Sequence, residues 1–304
     1  MPSALRLPIR ALECVVVLSV VAAIGAPPSS PATDLVPGEY PVEIAGRVIL
    51  VKTTVNGRGP FTFILDTGAT ETVVTPPAAR RAGIAAGTDR GVVARGMARV
   101  LAVGEVAVTN LPVLVVDPPQ ALSLRLDKGI NYGGILGYTF LSPHITIIDY
   151  RRQRISFMPV VPTFAGHPRS FPATGAIEIP FTLRDRLIHV MGFVNGRGPF
   201  TFLFDTGSAE VLLLPKALET LGLAASDLRP DGVRFTTLAR VKVGGAEVFD
   251  VPAIVQRPPQ EGAHALTYDG ILGYPFLSHF RVVINYHDRL IVLLPQVSAD
   301  NPFQ

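Results

Sequence analysis

"VNGRGPFTFILDTGATE" at residues 55–71 recurs almost unchanged as "VNGRGPFTFLFDTGSAE" at residues 194–210. A second match follows in the same order, because "GGILGYTFLSPHITIIDYRRQRISF" at 133–157 recurs as "DGILGYPFLSHFRVVINYHDRLIVL" at 269–293. Internal matches at such a spacing indicate one architecture of more than 100 residues encoded twice, and not a short solenoid repeat.

The chain therefore divides into a first repeat at residues 38–158 and a second repeat at residues 177–298. The stretch between them, residues 159–176, is rich in proline and weakly periodic, which is typical of an extended linker. Such a linker is long enough to span two adjacent domains, at about 3.3 Å per residue. This favours pairing of the two repeats within one chain, and a homodimer that pairs repeats between chains is the alternative.

Each repeat is predicted to be mostly β. Asn-Gly at 56–57 and at 195–196 separates two alternating apolar runs, and this dipeptide tolerates positive φ at both central positions of a tight hairpin. Helix signals that open with proline follow at residues 76–84 and 215–223. Many short strands with little helix predict an all-β fold of two tandem barrels with short helices.

The first 32 residues have a different character from the rest. Arg6 and Arg10 precede an apolar run at residues 14–26, and a small, proline-rich stretch follows it. This order is typical of an export signal, and the run is short for a membrane-spanning helix, which needs about 18 residues. We expect an exported protein, periplasmic or secreted, and an uncleaved N-terminal membrane anchor is the alternative to a cleaved signal peptide.

Composition excludes several classes of function. A chain with 48% hydrophobic and 17% charged residues is globular, and a formal net charge of +3 without a basic stripe argues against a nucleic-acid partner. Cys14 is the only cysteine, so the exported part has neither disulfides nor a catalytic thiol. The six histidines show no metal-ligand spacing, and we expect neither a metal nor a cofactor.

Each repeat places one aspartate directly after an apolar strand, Asp66 in the first and Asp205 in the second. An isolated Asp-Thr-Gly is an ordinary turn sequence, but a buried carboxylate is unfavourable unless it is paired or hydrogen-bonded. If the repeats pack about a pseudo-two-fold axis, the two carboxylates face each other and share a proton, because groups about 3 Å apart do not both ionise readily. One site then contains both an acid and a base.

These two Asp-Thr-Gly sequences, each followed about seventy residues later by Ile-Leu-Gly, resemble the retropepsin and pepsin superfamily of aspartic proteases. The similarity is strongest to its bacterial retropepsin-like branch with GILGYxFL endings, and it covers residues 42–157 and 177–294. The resemblance implies two retropepsin-like barrels and an aspartic-type endopeptidase that takes an extended peptide or protein substrate.

The resemblance also assigns roles to individual residues. Asp66 and Asp205 would form a catalytic dyad that activates a water molecule. Active-site support would come from the residues after each aspartate: Thr67, Gly68 and Ala69, and Thr206, Gly207 and Ser208. Apolar support behind the loops would come from Ile135, Leu136, Gly137, Ile271, Leu272 and Gly273. The segments near 91–104 and 232–245 lie where the family has a flap that closes over the substrate.

The sequence departs from viral retropepsins at an ion pair near the dimer interface. The positions that usually hold its acidic and arginine partners are occupied here by Thr70, Ala209, Tyr138 and Tyr274. This puts a viral-like interface geometry in doubt. The next acidic residues, Glu71 and Glu210, are expected to be solvated, and contact with substrate is the alternative.

The repeats differ directly after Asp-Thr-Gly, where the first has Ala69 and the second has Ser208. In the family a serine here can hydrogen-bond the neighbouring aspartate, and a hydrogen bond to the charged form lowers a pKa. The resemblance therefore predicts that Asp205 is more often ionised and that Asp66 more often carries the shared proton.

The alternative function is a non-catalytic peptide-binding or structural module that retains the fold. Both Asp-Thr-Gly triads are intact, which favours the enzyme, because a repeat relieved of catalysis is free to lose its aspartate.

Overall fold

The computed structural model describes residues 38–85, 93–117, 130–160, 175–222, 232–256 and 267–296. The predicted signal or anchor at residues 1–32 and most of the predicted linker lie outside these ranges. No helix within the ranges is long and apolar enough to cross a bilayer.

Both repeats consist mainly of strands. In the first repeat the described elements are β1 Glu39–Ala45, β2 Val48–Val55, β3 Arg58–Leu65, β4 Val73–Val74, α1 Pro76–Ala82, β5 Ala94–Val103, β6 Val106–Val115, β7 Tyr132–Leu136, α2 Tyr138–Leu141, β8 His144–Asp149 and β9 Arg154–Pro159. In the second repeat they are β10 Ile177–Pro180, β11 Thr182–Arg184, β12 Leu187–Val194, β13 Arg197–Phe204, β14 Val211–Leu213, α3 Pro215–Leu221, β15 Val233–Val243, β16 Ala246–Gln256, β17 Gly270–Leu272, α4 Tyr274–Leu277, β18 Phe280–Asn285 and β19 Leu290–Pro295.

Each repeat forms a closed six-stranded barrel, as the sequence predicts. The first barrel has the order β2-β3-β7-β4-β6-β5 and is closed by pairing of β5 with β2. The second has the order β12-β13-β17-β14-β16-β15 and is closed by pairing of β15 with β12. The largest fully buried side chains include Phe61, Phe63, Phe202 and Phe204, which come from the equivalent strands β3 and β13.

A six-stranded antiparallel sheet, which we call the joining sheet, connects the two barrels in the order β10-β19-β18-β8-β9-β1. Strands β8 and β18 pair across the boundary between the repeats, with Ile147 opposite Val283. Because side chains alternate between the faces of a strand, Ile148 and Val282 join the main core while Ile147 and Val283 form a separate cluster on the other face. The first face lies toward the barrels.

The predicted hairpins and helices are confirmed. Asn56 and Gly57 have φ values of 50° and 73°, and Asn195 and Gly196 have values of 52° and 78°, as the tight turn requires. Helix α1 begins after Thr75, whose hydroxyl accepts a hydrogen bond from the N–H of Ala78 (3.4 Å).

Candidate active site

The two aspartate loops meet where the repeats contact each other. Asp66 follows β3 and Asp205 follows β13, and only 6% and 9% of these residues are exposed. The N–H of Asp66 donates to the carbonyl of Leu136 (3.1 Å), and that of Asp205 donates to the carbonyl of Leu272 (3.0 Å). Each aspartate is therefore positioned by the parallel strand beside its own, β7 or β17.

Each carboxyl group lies against the glycine of the opposite loop. Oδ1 of Asp66 accepts a hydrogen bond from the N–H of Gly68 (2.7 Å), and Oδ1 of Asp205 accepts one from Gly207 (2.8 Å). A Cβ atom on Gly68 would lie 2.6 Å from Cγ of Asp205, and one on Gly207 would lie 2.4 Å from Cγ of Asp66. The structure thus brings both carboxyls together within one chain, and we call this pair the dyad.

Burial raises the pKa of the Asp205 carboxyl well above its ordinary value, and the charge of Asp66 and a hydrogen bond with Asp66 raise it further. Hydrogen bonds from the backbone N–H groups of Gly207 and Ser208 offset part of this rise. The raised pKa of Asp205 does not favour its ionisation, but the two carboxyls titrate as a pair, so which of them more often carries the proton stays a prediction. The serine hydrogen bond on which that prediction was based is not the one observed, because the Ser208 hydroxyl donates to the carbonyl of Glu210 (2.9 Å).

Thr67 and Thr206 join the loops through buried hydrogen bonds. The N–H of Thr67 donates to Oγ1 of Thr206 (3.1 Å), and the N–H of Thr206 donates to Oγ1 of Thr67 (3.0 Å). The Thr67 hydroxyl donates onward to the carbonyl of Phe204 (2.7 Å), and the Thr206 hydroxyl donates to that of Leu65 (3.0 Å). These four bonds, each worth about 1 kcal/mol net, fix the backbone on both sides of the dyad.

The two Ile-Leu-Gly segments lie directly behind the aspartate loops. The residues of β7 and β17 that lead into the late glycines are buried: Ile135, Leu136, Ile271 and Leu272. Just beyond them, the N–H of Tyr138 donates to the carbonyl of Ala69, and that of Tyr274 donates to the carbonyl of Ser208 (both 2.9 Å). A Cβ atom on Gly137 or Gly273 would lie 2.2 Å from a backbone oxygen of the adjacent aspartate loop. These segments therefore support the loops through backbone contact.

Glu71 and Glu210 form two ion pairs that cross between the repeats, and the prediction that they are solvated is wrong. Nη1 of Arg47 lies 3.1 Å from Oε2 of Glu210, and Nη1 of Arg186 lies 2.5 Å from Oε1 of Glu71. The glutamate side chains are only 11% and 17% exposed, because a turn of the opposite repeat carries an arginine to each. Both arginines have positive φ, 64° and 66°, a conformation that costs about 1 kcal/mol or more in residues other than glycine.

Crossed tyrosine pairs occupy the interface beside these ion pairs. Tyr138 packs edge-on against Tyr286, with ring centroids 5.2 Å apart, and Tyr274 packs edge-on against Tyr150 at 5.7 Å. The guanidinium of Arg186 lies 5.8 Å from the Tyr138 ring centroid. Burial raises the pKa of the Tyr150 and Tyr286 phenols, so both remain neutral. Tyr138 and Tyr274 thus contribute aromatic contacts between the repeats, next to the two ion pairs.

Arg47→Gln is expected to lower the free energy of unfolding by about 1 kcal/mol, because the substitution leaves the Glu210 carboxylate without its cation. Glutamine has the same backbone preferences at this positive-φ turn, so the change isolates the charge. Urea unfolding measures the effect, with Arg58→Gln on an exposed hairpin as the control. Equal stability of both variants would show that the ion pair contributes nothing to the contact between repeats.

The described parts of the predicted flap segments are barrel strands, β5 and β15. The residues before these strands, 86–92 and 223–231, lie outside the described ranges, so the position of a flap stays a prediction. No cluster of potential metal ligands is found among the residues that the structure describes.

Comparison with known proteins gives a family and a fold. The family model described as aspartyl protease matches residues 51–140 and 190–276, which together are more than half of the chain. Among solved structures, a retropepsin-like aspartic protease from Rickettsia conorii is 25% identical, and the match covers 39% of this chain and 89% of that one with a TM-score of 0.32. No curated protein matches significantly.

An aspartic proteinase from Irpex lacteus is 11% identical, and the match covers 87% of this chain and 98% of that one with a TM-score of 0.53. At this identity the likeness concerns the fold alone. Because the match covers most of both chains, the fold of this chain has a counterpart among solved structures.

Proposed function

The chain belongs to the aspartyl protease family, and we propose that it is an endopeptidase that hydrolyses peptide bonds with a water molecule activated between Asp66 and Asp205. The observation that carries this proposal is the contact of two buried carboxyls, one with a strongly raised pKa. Such a pair keeps one proton over a range of pH in which the second carboxyl is ionised, and the site then holds an acid and a base together.

In the proposed mechanism, Asp66 acts as the base and Asp205 as the acid. The Asp66 carboxylate takes a proton from the water as the water oxygen bonds to the peptide carbonyl carbon, and Asp205 gives its proton to the carbonyl oxygen. The C–N bond then breaks as Asp66 passes its proton to the leaving amine and Asp205 recovers one from the tetrahedral intermediate. The N–H groups of Gly68 and Gly207 hold the carboxyls in place throughout.

The proposed substrate is an extended peptide or an unfolded protein segment. We expect apolar substrate groups on either side of the scissile bond, because binding sites for such ligands are lined mainly by apolar side chains. We place the activity outside the cytoplasm, because residues 1–32 have the order of an export signal or anchor.

The test is cleavage of a denatured protein by the purified chain over a range of pH. The matched control is the double variant Asp66→Asn/Asp205→Asn, which retains the fold but has no carboxyl in the dyad. Cleavage by the unmodified chain alone supports the proposal. Absence of cleavage at every pH, or equal cleavage by the double variant, would contradict it and favour a peptide-binding module.

Mixing the two single variants, Asp66→Asn and Asp205→Asn, is expected to restore no activity. The dyad forms within one chain, so each variant keeps one carboxyl and no exchange of repeats supplies the other. Activity is measured after joint refolding at several protein concentrations. Recovery toward a quarter or half of the unmodified rate would instead demonstrate pairing of repeats between chains.

The basic limb of the pH profile of kcat/KM is expected well above pH 4. Catalysis needs one proton on the dyad, and an ordinary aspartate loses its proton near pH 3.9. Because the pKa of Asp205 is raised, the proton is retained at higher pH, and activity falls only as the pH rises through this raised value. A basic limb at or below about pH 4 would contradict a dyad that holds its shared proton with a raised pKa.

A further inference from the structure

A basic groove of about 470 Å³ lies at one end of the joining sheet, where the ends of β8 and β19 meet the start of β18. Six of the residues that line it are Arg151, Arg152, Arg281, Asp149, Leu294 and Gln296. Neighbouring side chains on a strand point to opposite faces, so Arg281 points away from Val282, which belongs to the main core. The groove therefore lies on the outer face of the sheet and not in the cleft.

Backbone pairing builds this groove from three adjacent strands. Arg281 on β18 lies opposite Asp149 on β8 and opposite Leu294 on β19. Oδ1 of Asp149 accepts hydrogen bonds from the backbone N–H of Arg152 (2.9 Å) and from Nε2 of Gln296 (3.1 Å). Through these hydrogen bonds the Asp149 carboxylate holds the turn after β8 and the end of β19 in place.

The charge of the lining is positive, since it contains three guanidinium groups and one carboxylate, and it stays positive when the pairing of Arg152 with Glu39 is counted. Nε of Arg281 is buried and has no hydrogen-bond partner in the part of the chain that the structure describes. Guanidinium groups bind phosphate oxygens through paired N–H donors. A phosphate group is thus the ligand that fits both the charge and the donors of this groove.

The fold does not impose these arginines, because the repeat-equivalent positions at the other end of the sheet lack them. There Ile145 stands in place of Arg281, and His287 and Asp288 stand in place of Arg151 and Arg152. The basic groove is therefore a property of one end of the joining sheet alone.

The start of the folded chain lies beside the groove. Nη1 of Arg152 is 3.2 Å from Oε1 of Glu39, the first residue of β1. Residues 27–38 separate Glu39 from the apolar run at 14–26, and such a stretch reaches about 40 Å when extended. A membrane that holds the apolar run is within reach of the groove.

We propose that this groove binds the phosphate of an anionic phospholipid headgroup, so that the protein rests on a membrane with this end of the joining sheet toward the bilayer. The dyad lies on the other side of the sheet and stays accessible to substrate. This binding site is independent of the proposed peptidase activity.

Cosedimentation of the full chain with vesicles tests the proposal. Binding to mixed phosphatidylglycerol and phosphatidylcholine vesicles is compared with binding to pure phosphatidylcholine vesicles. The neutral vesicles measure the binding that the apolar run gives by itself. Arg151→Gln/Arg281→Gln is expected to weaken binding to the anionic vesicles by roughly tenfold or more. Arg95→Gln/Arg99→Gln, which removes the same charge from exposed positions of β5, is the matched control and is expected to bind as the unmodified chain does.

Three outcomes would overturn the proposal. In the first, the groove variant binds anionic vesicles as tightly as the unmodified chain. In the second, the control variant loses as much binding as the groove variant, which would mean that only the overall charge of the protein matters. The third is saturable, Arg281-dependent binding of inorganic phosphate that displaces the protein from vesicles, which identifies a site for free phosphate. If the double variant fails to fold, Arg151→Gln alone is tested instead, because Arg151 lies at an exposed turn. This single variant is expected to lose part of its binding to anionic vesicles.

Discussion

Replacement of either dyad aspartate, as Asp66→Asn or Asp205→Asn, is expected to lower kcat by about 10³-fold or more. Each variant keeps one carboxyl, but a lone carboxyl cannot supply both the acid and the base that the proposed mechanism requires. The double variant should therefore lose little more than either single variant, because residues that act as a unit are not additive. Steady-state cleavage of a peptide substrate measures all three.

The same substitutions are expected to leave stability unchanged or higher at neutral pH. The folded-state pKa of Asp205 is raised, so ionisation of this carboxyl disfavours the folded state. This penalty is absent below the ordinary pKa of about 3.9 and grows as the pH rises above it. An asparagine side chain does not ionise. Asp205→Asn should therefore raise the midpoint of thermal unfolding at pH 7 and have little effect near pH 3.

A gain in stability with a loss of activity separates a catalytic role from a structural one. Asp250→Asn is a suitable control, because Asp250 is exposed and has a positive φ of 52° that asparagine also tolerates. It should change neither property. If Asp66→Asn and Asp205→Asn retain more than about a tenth of the activity, the dyad is not the catalytic centre.

Much of the fold was predictable because the same sequence motifs occur in both repeats. The Asn-Gly turns and the proline-opened helices are local signals, and the repeated spacing of Asp66 and Asp205 predicted one site built from both barrels. Contact between the aspartates follows from the pseudo-two-fold arrangement, which a duplicated sequence favours. These features depend on patterns that can be read within each repeat.

The features that were missed depend on contacts between distant parts of the chain. Arg47 and Glu210 are 163 residues apart, and Arg186 and Glu71 are 115 residues apart. A signal was present, because arginine and glutamate are retained in both copies at these positions while most other charged residues differ. The sequence contains no such signal for the Ser208 hydroxyl. Whether this hydroxyl donates its hydrogen bond to Asp205 or to the Glu210 carbonyl depends on loop geometry alone.

Gly207→Ala is expected to reduce activity by about 10²-fold or more and to destabilise the protein by about 1–3 kcal/mol. The added Cβ atom would lie 2.4 Å from Cγ of Asp66, and carbon atoms that are not bonded need about 3.5 Å. Neither partner can yield easily, because the hydroxyl and N–H of Thr206 hold this loop against Thr67. The loops must therefore separate by about 1 Å, which moves the two carboxyls apart.

Gly68→Ala should have a similar effect, since its Cβ atom would lie 2.6 Å from Cγ of Asp205. Gly245→Ala is the matched control, because its nearest neighbour, Cγ2 of Ile177, lies at an ordinary contact distance of 3.4 Å. Both loop variants and the control are compared by kcat and by urea unfolding. Full activity in Gly207→Ala would mean that the loops do not approach as closely as the structure indicates. The dyad could then not share a proton, and the raised pKa of Asp205 would lose its second cause.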